Sequence, residues 1–130
     1  MKLRTIELLK SIGYKYSQSD EFLLNYCIDD SKHYILNRTN LTEVPVELEE
    51  VWINRVVAEF LEMKWATNTL DIETIDFSPI VNRIQEGDTT IDIATGKDGG
   101  ITEEDRFLTL LSTLRDNEYS FARFRKIKWW

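Results

Sequence analysis

Apolar residues recur at helical spacing along four stretches of the chain, and the longest organises the rest. In Pro45 to Ala66, PVELEEVWINRVVAEFLEMKWA, the side chains of Trp52, Met63, Val56, Phe60, Ile53, Val57 and Leu61 fall on one arc at 100° per residue. That arc covers roughly half of the cylinder, whereas a helix buried on one side needs a stripe only about 100° wide. The helix is therefore expected to be covered from more than one direction. Its polar half carries Glu47, Asn54, Arg55, Glu59 and Glu62, but Val51, Ala58 and Trp65 interrupt it, so a second buried surface is expected there.

Three further stretches read as helices. Thr5 to Ser11 forms a short one, with Gly13 placed to supply a left-handed residue at its end. Ser17-Gln-Ser-Asp20 is a capping-box pattern that opens a helix over about Asp20 to Asn37, whose main face is Leu23, Leu24, Cys27, Ile28, Ser31, Tyr34 and Ile35. On its other side Phe22, Tyr26 and His33 line up beside Asp29 and Asp30, either as amphipathic side chains on a solvated face or as a subunit contact. Thr102-Glu-Glu-Asp105 opens the last helix, which buries Phe107, Leu110, Leu111 and Leu114, with Phe121 in phase if the helix continues. After Arg115 the helical signal weakens, and residues 121–130 show neither a clean stripe nor strict alternation.

The connections carry turn chemistry. Pro45 stands where a helix's first turn tolerates proline, and Glu47, Glu49 and Glu50 crowd the positive end of that helix's dipole, which explains the acids without a metal. Between the third and fourth helices, IVNRIQEGDTTIDI alternates apolar and polar residues around Glu86-Gly87-Asp88, the signal of a β-hairpin at about 80–94 with Gly87 in the turn. The fold expected is mainly α: a small bundle of about four helices, a β-hairpin in the long loop before the last, and an extended basic, aromatic C-terminal tail. Residues 1–120 would form the single domain and 121–130 the tail.

Composition narrows the function. With 130 residues, 42% of them hydrophobic, the chain suits one modest core. Its net charge is -7, but residues 121–130 hold Arg123, Arg125, Lys126 and Lys128 and no acid, so that segment carries +4 and residues 1–120 carry -11. An acidic body disfavours general nucleic-acid binding. Cys27 is the only cysteine, which excludes an intrachain disulfide and fits a small core residue made in a reducing cytoplasm. No signal-peptide run and no membrane-spanning run is expected. The two Asn-X-Thr triplets at Asn37 and Asn40 are read as chance. Gly96-Lys97 lacks the first glycine and the Ser/Thr of a phosphate loop, since Ile91 and Asp98 stand in those places. His33 is the only histidine and has no nucleophile or ligand spacing around it, so an enzyme, a metal centre and a cofactor are all disfavoured.

Three segments carry a family resemblance: ILNRTNLTEVPVELEEVWINRVVAEF, IQEGDTTIDI and the terminal RFRKIKW. Together they resemble the head-tail connector, or head-completion adaptor, proteins of tailed bacteriophages. The resemblance implies a mostly helical virion protein, made in the bacterial host cytoplasm, that assembles as a ring at the head-tail junction on the order of twelve-fold. It implies docking on the portal protein, extension of the DNA channel without sequence-specific DNA binding, and a surface for the next completion or tail protein. Portal docking would fall on Phe121, Arg123, Phe124, Arg125, Lys126, Ile127, Lys128, Trp129 and Trp130, and the channel loop on Arg83, Glu86, Gly87 and Asp88. Phe22, Tyr26, His33, Val51, Ala58 and Trp65 would then meet a neighbouring subunit. A rival reading takes the basic aromatic tail as a grip on single-stranded nucleic acid, with bases stacked on its rings.

Overall fold

The computed structural model describes residues 1–70, 75–80, 82, 103–116 and 118–125, of which 103 and 118–120 are described by backbone alone. The protein is mainly α-helical. Among the described residues the helices with both ends placed are α1 (Lys2–Ser11), α2 (Glu21–Thr39), α3 (Glu49–Ala66), α4 (Glu103–Leu114) and α5 (Glu118–Phe124), with single 3-10 turns at Gln18–Asp20 and Val46–Leu48 leading into α2 and α3.

Local signals act where the sequence places them. Gly13 takes φ 90 after α1. The Asp20 carboxylate accepts a hydrogen bond from the Ser17 N–H at 3.1 Å, so the residue that starts α2 also closes the turn before it. Asn40 ends α2 in the left-handed region at φ 58, a conformation that a short polar side chain tolerates. The first-turn acids of α3 take cations from α1: Glu49 pairs with the chain's N-terminal ammonium at 3.6 Å and with Arg4 at 3.3 Å, and Glu50 also pairs with Arg4.

Helix α3 is the centre of the bundle. Antiparallel α2 lies along it, as the pairings Asp20 with Lys64, Cys27 with Met63 and Ser31 with Glu59 trace in order. Ile53, Val56, Val57, Phe60 and Leu61 share one buried core with Leu24 and Cys27 of α2, with Leu9 of α1, and with Phe107, Leu110, Leu111 and Leu114 of α4. No residue from Val51 to Trp65 is exposed. A second, smaller cluster joins Ile35, Leu48 and Phe121, with Val51 and Phe124 packed against it.

Two expectations change. Ile80, expected to open the hairpin, belongs to a helical turn at residues 78–80 and is fully buried, so any hairpin begins later. The remainder of the expected hairpin lies outside the described residues. Residues 118–124 form a further helix, so the start of the expected extended tail, 121–124, is helical. Its signal is faint in sequence because a seven-residue helix is marginal on propensity, and the burial of Phe121 supplies what propensity does not.

Candidate functional site

Near the middle of the bundle, α2, α3 and the end of α4 border a polar cleft of about 300 Å³. Antiparallel pairing sets Asp30 and Ser31 of α2 opposite Glu59 and Glu62 of α3, and Arg115 closes the far wall. The Ser31 hydroxyl donates to Glu59 at 3.2 Å, and Arg115 forms an ion pair with Glu62. Burial, then a hydrogen bond with the Asp30 carboxyl and its charge, push the Glu59 carboxyl up to about 7. Glu59 can thus hold a proton near neutral pH.

Arg55 ties this cleft to the C-terminal helix. Its Nη1 donates to the Arg115 carbonyl at 2.8 Å, while its guanidinium carbon lies 3.9 Å from the centre of the Tyr34 ring and 5.7 Å from that of Phe121. Tyr34 and Phe121 meet edge to face at 5.9 Å. One guanidinium therefore joins α2, the turn after α4, and α5. Beyond it the chain crosses the end of α2, where Arg125 Nε donates to the Arg38 carbonyl at 3.0 Å.

The cleft is suited to proton exchange and to charge pairing. The Cys27 thiol offers no nucleophile at neutral pH, because burial and the nearby acids, Glu59 first, push it up to about 12. It packs as a core residue, 4.0 Å from the sulfur of Met63. Among the described residues no group of three His, Cys, Asp or Glu side chains could hold a metal ion. No described helix is long and apolar enough to cross a membrane. Comparison with family models, with curated proteins and with solved structures returns no match.

The residues expected to dock or assemble divide sharply. Phe22 is 85% and Tyr26 51% exposed, and His33 beside them is exposed too. Arg123 and Arg125 are exposed, and Phe124 is half-buried. Phe121, by contrast, is fully buried, which corrects its assignment to a free docking tail: its ring is core, held by Ile35 and Leu48.

Ala58 is likewise fully buried, and Val51 and Trp65 are partly buried against the chain's own core. Val51 packs on the second cluster, and the Trp65 ring lies 5.8 Å from that of Phe107. The interrupted polar side of α3 is therefore buried at Ala58 and partly covered at Val51 and Trp65, with α4 and α5 packed along it. Arg83, Glu86, Gly87, Asp88, Lys126, Ile127, Lys128, Trp129 and Trp130 lie outside the described residues.

Sequence reasoning overlooked Arg55 and the Asp30–Glu59 pair. Helical spacing puts Glu59 and Arg55 on one side of α3, but only the register of α2 against α3 shows which acid Glu59 faces.

The proton on Glu59 gives a pH signature. Its ordinary value is 4.5, so between about 4.5 and 7 the folded chain binds this proton more strongly than the unfolded chain does. Its contribution to stability is present in full below that window and lost as pH rises through it. Glu59→Gln is expected to leave the urea midpoint nearly unchanged at pH 5 and to raise it at pH 8, flattening the profile between. Equal midpoints for parent and variant at both pH values would exclude the raised Glu59 carboxyl.

Proposed function

We propose that this chain is a structural subunit of the head-tail junction of a tailed bacteriophage. It assembles as a ring on the order of twelve-fold, docks on the portal protein, and extends the DNA channel toward the next completion or tail protein. It acts without catalysis, in the virion. The hairpin around Glu86-Gly87-Asp88, with Arg83 beside it, borders the channel in this reading.

The observation that carries the proposal is the seating of α5. Phe121 and Arg55 hold that helix on the bundle, so the basic, acid-free end of the chain departs from a defined point, with Arg123 and Arg125 already at the surface. A charged aromatic segment launched from a rigid base suits an acidic acceptor surface on another protein. The exposed Phe22 and Tyr26 on α2 provide a separate face for subunit contact.

A truncation ending at Arg125 tests the reading, because it removes five residues and leaves Phe121 and α5 in place. The truncated chain is expected to keep its helical circular dichroism and its urea midpoint but lose binding to the purified portal. Undiminished portal affinity in the truncated chain would sink the docking assignment.

A further inference from the structure

The outer side of α2 carries four exposed side chains in a row. Phe22, Tyr26, Asp29 and His33 follow at i, i+4, i+7 and i+11, the spacing of a single helix face, and Asp30 borders them. This face belongs to a 19-residue helix whose opposite side is core, so the rings stand at fixed positions. Large apolar groups clustered at such exposure on a rigid helix mark a contact surface. The charge beside the rings is acidic. A complementary partner therefore brings cations together with apolar or aromatic side chains.

The chain contains such a segment. Arg125 to Trp130, RKIKWW, combines three cations with Ile127, Trp129 and Trp130 and has no acid. Its starting point limits where it can go. Arg125 is anchored to the carbonyl of Arg38, near the C-terminal end of α2. At about 1.5 Å per residue, Tyr26 lies roughly 18 Å and Phe22 roughly 24 Å back along the helix. Five residues extend at most about 18 Å of backbone, so a path back along α2 would have to be straight to come level with Tyr26. A copy's own segment would have to run back fully extended to bring its tryptophans to the rings, whereas that of another copy can approach the strip from any direction.

We infer that the Phe22–Tyr26–Asp29–His33 strip of one copy receives the Arg125–Trp130 segment of a second copy. The contact is heterologous, with donor and acceptor on different parts of the chain, and so it links copies head to tail. The inference extends the docking role already proposed for the segment and rests on that reading for treating it as a binding element. It adds a second acceptor, which the portal displaces. Copies would be held together through this contact until the portal takes the segment.

Complementation tests it. Phe22→Asp/Tyr26→Asp disables the strip at exposed positions that the fold does not need, and truncation after Arg125 disables the segment. In sedimentation experiments the full chain is expected to form oligomers that grow with concentration and weaken with added salt. Each disabled protein is expected to remain monomeric, with unchanged circular dichroism. Mixed together, they are expected to form a one-to-one dimer and nothing larger, since one intact strip and one intact segment remain.

A mixture that stays monomeric would overturn the inference, as would a full chain that is monomeric at every concentration or a truncated chain that associates like the parent. Portal binding by the strip variant separates the two proposals. If complementation succeeds and no protein binds the portal, the portal reading alone fails. If the strip variant binds the portal and complementation fails, this inference alone fails.

Discussion

Placing a carboxylate at Ala58 is expected to unfold the subunit before it affects any assembly. Ala58 is fully buried in the main core on the side of α3 that looks half-polar in sequence. An aspartate there would have to ionise without a partner or take up a proton, and it would also crowd a closely packed site. Either route costs several kcal/mol, against a total stability of roughly 5–15 kcal/mol for a domain of ordinary stability. Ala58→Asp should therefore lose most of its helical circular dichroism near neutral pH, or show a urea midpoint lowered by more than half. Ala58→Gly should lose only about 1 kcal/mol, the usual helix-interior penalty. A folded Ala58→Asp monomer with the parent's midpoint would mean that α4 does not cover this side.

Removing Lys64 is expected to be the most damaging change among the polar residues, at about 3–5 kcal/mol. Its ammonium lies 2.5 Å from Asp20, whose side chain is only 4% exposed. Burial alone would push the Asp20 carboxyl up. The Lys64 ammonium, the Ser17 N–H and the Tyr14 hydroxyl together outweigh burial and hold it below the ordinary range. Tyr14 is raised in turn, by its own burial first and then by its bond to Asp20.

These contacts pin the loop after α1, the start of α2 and the last turn of α3 to one another. Lys64→Met leaves the buried carboxylate without its cation. Asp20→Asn leaves an ammonium that can turn toward water along its flexible stem, so its cost should be smaller.

The pH dependence follows from the depressed carboxyl. Asp20 contributes stability in full above about pH 4, its unfolded range, and loses it as pH falls through its lower folded value. Without Lys64 the folded value rises, so acid unfolding of Lys64→Met should begin at higher pH than that of the parent. Urea midpoints at pH 7 for both single variants and the double variant, with an acid titration followed by circular dichroism, check both claims. Equal losses from Lys64→Met and Asp20→Asn would contradict the asymmetry.

The two pH effects run in opposite directions and in separate windows. Glu59 lowers stability as pH rises from about 4.5 to 7, whereas Asp20 lowers it as pH falls below about 4. The Glu59→Gln profile can therefore be read without interference from the Asp20 site.

How much could be read without a structure varies by element. The helices α1 to α4 were legible from periodicity and punctuation, because each has an apolar stripe bounded by a cap, a glycine or a proline. Phe107, Leu110, Leu111 and Leu114 follow as core from that spacing, and they are buried. Helix α5 was not legible, since its seven residues carry only one fully buried side chain among those described, Phe121, whose partners Ile35 and Leu48 lie far away in the chain. Ala58 and Val51 look available to an outside partner for the same reason: nothing local shows that α4 and α5 return to that side of α3.

Residue order thus suffices for the helices, the enclosed character of α3 and the separation of an acidic body from a basic end, because these depend on spacing and composition along the chain. The placement of α5, the Arg55 tie, the raised Glu59 carboxyl beside Asp30 and the exposure of Phe22 and Tyr26 depend on distances between residues far apart in sequence. Only packing decides those distances.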